Sequence, residues 1–270
     1  MLRDRVITAV IAIAIIVPIF VFGGVEGVVL LVGVFGGIAL WELARSLPSL
    51  KSPPGKELTL VLGIAMVLAF YLCQPRALIG ALVWFPLLVL VIHLFLYETI
   101  DRTVDSASQM IFAVLYVIVP LSHAILVRRL DLGVTWVLFI MLVICLGDAG
   151  AYFVGRAYGR RRFWEKVSPS KTVEGLGGGV AGNLLGMAVS KALFPELPAL
   201  GILLALTLLL AIAGPLGDLI ASAIKRRLAI KDYGSIMPGH GGVMDRADSL
   251  ILAFPTTYYF LLLLTDSVTP

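Results

Sequence analysis

Nine apolar runs, each close to the length of a membrane-crossing helix, leave this chain few ways to fold. They are Val6–Phe22, Val25–Leu43, Leu58–Cys73, Ala77–Tyr97, Ala107–Val127, Val134–Val154, Gly175–Phe194, Leu200–Ala223 and Ala247–Leu264. A bilayer core takes about 20 apolar residues of helix, with a range of about 17 to 25. Hydrocarbon offers backbone N–H and C=O groups no partners, so such runs must satisfy themselves as helices. Composition agrees. The chain is 60% hydrophobic and only 14% charged, where a soluble domain carries about 25%, and its mean hydropathy is +1.02. The expected fold is therefore all-α, a polytopic integral membrane protein of about nine transmembrane helices. Residues 1–130 are expected to form about five scaffold helices facing lipid. Residues 131–270 are expected to form about four helices and two loops, 155–174 and 224–246, that hold the chemistry.

The first run follows a basic start, as in a signal peptide. It is about seventeen residues long with no small-x-small cleavage site after it, so a retained first helix is expected. Cys73 and Cys145 belong to no CxxC pair, which argues against a disulfide framework or a thiolate metal site. Both read as small apolar filler.

Lysine and arginine in the connections set the orientation. With the N-terminus inside, the cytoplasmic segments hold Arg3, Arg5, Arg45, Lys51, Lys56, Arg102, the run from Arg156 to Lys171, the cluster from Lys225 to Lys231, and Arg246. Only Arg76, Arg128, Arg129 and Lys191 of the 21 basic residues fall outside. Nine spans then send the C-terminus outward and bring both long polar loops to the cytoplasmic face. The location implied is an integral membrane protein, in the inner or plasma membrane if the source is bacterial.

A charged side chain at a helix centre costs about 2.5–3.5 kcal/mol on insertion scales, and such residues usually face the bundle interior. Asp148 precedes Arg156 by eight positions and Asp218 precedes Lys225 by seven. At 1.5 Å per residue each lies about 10–12 Å below its basic loop. Two carboxylates at matched depth favour a shared polar site over two separately neutralised acids. Asp218, Ser222 and Lys225 fall at i, i+4 and i+7, one face of the helix. Lys225, Arg226 and Arg227 also read as positive-inside anchors, Arg227 chiefly so.

The segment KDYGSIMPGHGGVMDRAD, Lys231 to Asp248, breaks the pattern of apolar runs. Its Pro238, Gly239, Gly241 and Gly242 oppose regular helix around His240, and glycines let backbone N–H groups approach an anion. Asp245 and Asp248 stand three apart at the start of the last helix. Hard carboxylate oxygens suit Mg2+, while a tight connection with an Asp cap explains the same residues. In SPSKTVEG, Ser168 to Gly175, Lys171 stands between Ser and Thr. Thr172 reads as a helix cap or as part of a phosphate site. Neither a Walker A sequence nor GxGxxG nor HExxH occurs. Gly178, Gly182 and Gly186 at four-residue spacing read as a close-packing face, which is also compatible with a homodimer. His93 and His123 read as interhelical hydrogen-bonders.

The run from Ser222 to Asp248, S-A-I-K-R-x4-K-D-Y-G-S-I-M-P-G-H-G-G-V-M-D-R-A-D, resembles the signature of phosphatidate cytidylyltransferases, the CDP-diacylglycerol synthases. GDAGAYFVGRAYG and SPSKTVEG, within 147–175, are similar to that family's second region. Met237 and Ala247 depart from it, and neither carries a chemical group. The resemblance implies a Mg2+-dependent reaction of CTP with phosphatidate, giving CDP-diacylglycerol and diphosphate. It implies Asp218 and Asp245 as metal ligands, with Asp148 beside them and a second metal or monovalent cation as an option. Lys225 and Arg226 complete the implied catalytic set. Substrate contact is then expected of Ser168, Lys171, Thr172, Ser222, Lys231, Gly239, His240, Gly241, Gly242, Arg246 and Asp248. Nucleic acid is not an expected partner.

Two other readings differ by class. An ion-coupled transporter would continue its polar path through the outer half of the bundle, where His123, Ser122 and Lys191 are nearly all there is. A CTP-dependent polyprenol or phytol kinase would release CDP instead of diphosphate.

Overall fold

The computed structural model describes residue 14 and residues 16–51, 53–96, 100–236 and 241–266. The first apolar run lies largely outside these residues, and its described part, residue 14 and residues 16–22, is helical. Eight longer helices follow: α1 (Gly24–Ala44), α2 (Gly55–Leu72), α3 (Pro75–Leu96), α4 (Asp101–Arg129), α5 (Gly133–Tyr158), α6 (Val173–Leu193), α7 (Leu200–Arg227) and α8 (Met244–Asp266). Seven of the described helices are long and apolar enough to cross a membrane, so the protein is an all-α integral membrane protein in its main build. The glycine-rich α6 is not among those seven.

The helix ends shift from the expected runs in one consistent way. α5 continues past Val154 to Tyr158, and α7 continues past Ala223 to Arg227. Helical backbone stays satisfied beyond the hydrocarbon edge, and cations such as Arg156, Lys225 and Arg226 complement the negative helix end. α7 stops where Ala229 enters the left-handed region at φ 55°.

The expected loop 155–174 is not structureless. It contains a two-stranded antiparallel hairpin, β1 (Arg162–Trp164) and β2 (Ser168–Thr172), paired Arg162 to Thr172 and Trp164 to Ser168 with an irregularity between. Its strands are too short for the alternation of hydrophobicity that marks a strand in a sequence. Pro169 is accommodated because a two-stranded ribbon has only edges.

Contacts divide the chain into two compact units. One comprises the described residues of Met1–Leu126 with Ile230–Ala247, the other Val127–Ala229 with Asp248–Pro270. The core of the first unit includes Leu40, Leu43, Leu50, Met110 and Ile118, all without exposed surface. α1 and α4 each contain a π-helical turn, Val32–Gly36 and Val114–Ile118. They meet where a methyl group on Gly36 would sit 3.4 Å from Ile118 Cδ1. α4 buries 67% of its apolar window and α3 only 22%, so α4 is the unit's central helix and α3 leaves most of its apolar surface exposed. His93 and His123 do not act through interhelical hydrogen bonds at Nδ1. That N–H donates to the carbonyl one turn back, Val89 at 2.9 Å and Val119 at 2.8 Å, and the His123 ring packs across on Phe70 at 5.4 Å.

In the second unit α5 and α6 pack backbone to backbone. Methyl groups on Gly178, Gly182 or Gly186 would collide with Val154, with Leu146 and Gly147, or with Val143. The four-residue glycine spacing is thus filled by α5. Asn183 crosses the same seam and donates from Nδ2 to the Val143 carbonyl at 2.9 Å. Its carboxamide takes the space a side chain at residue 147 would need, directly beside Asp148.

Candidate active site

In the second unit the hairpin delivers a lysine to the carboxylate of a neighbouring helix. Thr172 caps α6, its Oγ1 accepting the Gly175 N–H at 3.0 Å. Glu174, in the first turn of that helix, accepts the N–H groups of Arg160 at 3.0 Å and Arg161 at 3.2 Å. The Arg160 N–H, then the helix's own N–H and that of Arg161, hold the Glu174 carboxyl below the usual carboxylate range. The base of the hairpin is tied at that point. Lys171 on β2 then reaches Asp218 on α7, with Nζ 2.6 Å from Oδ2. Nζ also donates to the Pro215 carbonyl at 3.3 Å. Ser222, one turn beyond Asp218, donates to its Oδ1 at 3.3 Å.

Pro215 and Asp148 line one small cleft, together with Ala151, Gly179, Asn183 and Ala211. Pro215 has no N–H, so the Ala211 carbonyl has no helical donor four residues on. Next along α7, Gly217 packs on the backbone of Asp248, and a side chain there would force α8 away. Ser249 Oγ donates to Asp148 Oδ2 at 3.5 Å. Asp148, Lys171, Asp218, Ser222 and Asp248 are thereby gathered by α5, β2, α7 and α8. Ser168 is buried on β2. Arg226 is exposed and donates from Nε to the Val167 carbonyl at 3.3 Å, and Lys225 is half-buried.

In the first unit Asp245 is 7% exposed. Its Oδ2 accepts from Tyr233 N at 2.9 Å and Gly242 N at 3.0 Å. A carboxylate that takes two backbone donors orders the turn that carries it. Gly241 sits in that turn at φ 81°, which glycine adopts at no steric cost. Lys231 and Arg246 are exposed. Gly239 and His240 lie outside the described residues.

The structure adds groups that the sequence reading passed over. Glu42, with no exposed surface, accepts the Met244 N–H at Oε2 over 2.9 Å. Arg45 donates to the Tyr233 carbonyl at 3.0 Å. The available signal was an acid one residue before the end of the run Val25–Leu43. Asn183 and Ser249 carried no comparable signal, being an isolated amide among glycines and a serine beside an aspartate.

Sequence comparison places this geometry in a family. A profile of the cytidylyltransferase family matches residues 3–264. A phosphatidate cytidylyltransferase of Bacillus subtilis is 35% identical over 272 residues, covering 97% of this chain and 98% of that protein. Proteins of the same name from Staphylococcus haemolyticus and Staphylococcus saprophyticus are 33% and 32% identical, each alignment covering 94% of this chain and 96% of the relative. The match runs through the apolar scaffold as well as the polar segments, and this chain belongs to the cytidylyltransferase family.

Proposed function

We propose that the protein is a phosphatidate cytidylyltransferase, converting CTP and phosphatidate to CDP-diacylglycerol and diphosphate. The observation that carries the reading is the Lys171–Asp218 pair at 2.6 Å. Lys171 also bonds the carbonyl of Pro215, which lines a cleft together with Asp148. A phosphate oxygen of phosphatidate forms a bond to the α-phosphorus of CTP, and the bond from that phosphorus to the bridging oxygen breaks. The electron pair leaves with diphosphate. No general base is needed, because a phosphate monoester is already ionised at neutral pH.

Both reactants are anions, so the protein's task is to hold them in line and offset their repulsion. Lys171, Lys225 and Arg226 supply cations, Arg226 with a planar fork suited to phosphate oxygens. Ser168, Ser222, Lys231 and Arg246 serve substrate contact. So do Gly239, His240, Gly241 and Gly242, whose backbone can approach phosphate. Thr172 contributes through the helix end that it caps.

Among the described residues no three His, Cys, Asp or Glu side chains form a ready cage for a metal. Mg2+ does not require one, being commonly held by one or two carboxylates together with substrate phosphates. The acids assigned to the site, Asp148, Asp218, Asp245 and Asp248, are hard oxygen donors and fit that ion. Asp218 and Asp245 are the residues assigned to hold it, with Asp148 beside them. Bound there, Mg2+ would neutralise charge on the transferring and leaving phosphates. We place the N-terminus and both polar segments on the cytoplasmic face, the site opening to that side, with nine spans and an outward C-terminus. Basic residues crowding those segments support this.

The deciding experiment uses purified protein in detergent with Mg2+ and CTP labelled at the α- or γ-phosphate, offering phosphatidate, polyprenol or phytol as acceptor in parallel. Label from the α-phosphate in lipid and γ-label in diphosphate is the expected result. CDP release with γ-label in lipid would establish the kinase instead, and no consumption of CTP would overturn both enzymes. Asp218→Asn should abolish turnover while leaving the protein folded.

A further inference from the structure

Glu42 poses a problem that the proposed reaction does not by itself solve. It is a carboxylate with no exposed surface, near the C-terminal end of α1. Placing such a group away from water is costly unless it is paired or hydrogen-bonded. Only part of that cost is met by Oε2, which accepts the Met244 N–H at the first residue of α8 over 2.9 Å. Oε1 has no hydrogen-bond partner among the described residues. It is directed at backbone. A methyl group on Gly234 or on Gly242 would collide with the Glu42 carboxylate, so the glycines are the space that it fills.

One helical turn on, Arg45 donates to the Tyr233 carbonyl at 3.0 Å. Glu42 near the end of α1 and Arg45, the residue that caps it, thus grip the polar segment at Met244 and at Tyr233. Between these grips lies the bonding of Asp245, whose Oδ2 takes the N–H groups of Tyr233 and Gly242. Tyr233 and Gly242, whose N–H groups bond Asp245, are in turn held by Arg45 and packed against Glu42. The first contact joins residues 202 apart in sequence. All these residues fall in one compact unit.

We propose that Glu42 is a positioning residue of the reaction, fixing from α1 the glycine turn that presents Asp245, with Arg45 as its partner. This rests on the reading of Asp245 as a residue of the site. Glu42 touches no reactant. Its effect is exerted through the placing of Asp245, and displacements of about 1 Å at a reacting centre cost on the order of a hundredfold in rate. The effect belongs in kcat more than in the KM for phosphatidate, since the turn is assigned to the reacting phosphates, where misplacement weakens the transition state more than the ground state.

The test compares Glu42→Leu, which fills the space without an acceptor, with Glu42→Gln, which keeps an acceptor oxygen of the same reach. Amide hydrogen exchange is read on the metal-free protein in detergent, and steady-state kinetics on the complete system. In Glu42→Leu, exchange at Tyr233, Gly242 and Met244 should rise about tenfold or more while amides of α5 keep their protection. kcat should fall on the order of a hundredfold with the KM for phosphatidate within about threefold, and Glu42→Gln should recover a large part of both losses. Unchanged exchange at the three amides would overturn the positioning. A rise that spreads through α5 would make Glu42 a general stability residue and overturn it equally. Faster local exchange with unaltered kcat would remove Asp245 from the reaction, refuting the reading on which the proposal rests and leaving the clasp as structure alone. A Glu42→Gln variant no better than Glu42→Leu would exclude the acceptor bond as the cause. If Glu42→Leu fails to fold, Arg45→Met provides the same exchange and kinetic readouts at the other grip.

Discussion

Replacing Lys171 by methionine separates a structural ion pair from a working one. The side chain holds Asp218 at 2.6 Å, and the two side chains are 18% and 36% exposed. A fully buried charge-assisted bond of that length would contribute about 1.5–3 kcal/mol. Asp218 reaches solvent over a third of its surface, so screening cuts this to about 1 kcal/mol. Asp218 also keeps its bond from Ser222, and methionine keeps most of the lysine's apolar stem. Thermal unfolding in detergent should therefore shift by about 2–4 °C. Turnover should respond on another scale. Removing one group that stabilises charge in a transition state costs about 2.7–4 kcal/mol, on the order of a hundred- to a thousandfold in rate. Initial rates of CDP-diacylglycerol formation, taken on protein shown to be folded, read this directly. Lys171→Arg should fall between, because it restores the charge in a different shape. Loss of activity below about fivefold, alongside the expected small change in stability, would refute the catalytic assignment and leave the pair as a brace between β2 and α7.

Two further perturbations test the frame around the site. Gly186→Ala would set a methyl 2.7 Å from Val143 Cα and 3.0 Å from the Leu142 carbonyl oxygen. Backbone cannot yield as a side chain does, so α5 and α6 must part at a cost of about 1–3 kcal/mol. Gly177→Ala meets nothing within 4 Å and should gain about 0.5–1 kcal/mol of helix stability, a contrast read by thermal unfolding. At the base of the hairpin, backbone donors hold the Glu174 carboxyl below its ordinary range. A depressed carboxylate contributes stability that is present above its unfolded pKa, about 4.3, and lost as pH falls through the lower folded value. Local exchange in the hairpin of wild type and Glu174→Gln should thus differ at neutral pH and converge on acidification. A difference that persists or grows at low pH would exclude this origin.

The helical scaffold was legible because the solvent writes it into the sequence. Lipid demands long apolar runs, and α1 to α8 appear where those runs stand, with ends displaced by only a few residues. An expected depth for Asp148 and Asp218 could be read for the same reason, since rise per residue converts spacing into depth. The Thr172 cap followed from local chemistry that needs no partner far away. The hairpin at 162–172 was not legible, because three- and five-residue strands at a membrane edge have too little alternation to announce themselves.

What the sequence determined by itself was therefore the set of helices and the inventory of acids, cations and glycines near their ends. Tertiary structure decided which of them meet. It brought Lys171 to Asp218, 47 positions along the chain, and sealed Gly178, Gly182 and Gly186 against α5. It also gave Glu42, one residue before the end of the run Val25–Leu43, a bond to Met244 at the start of α8. The physical reason is that depth and amphipathicity are properties of one helix. Neighbourhood is fixed only when backbones approach closely enough for glycines to matter and for a buried polar group to find its partner.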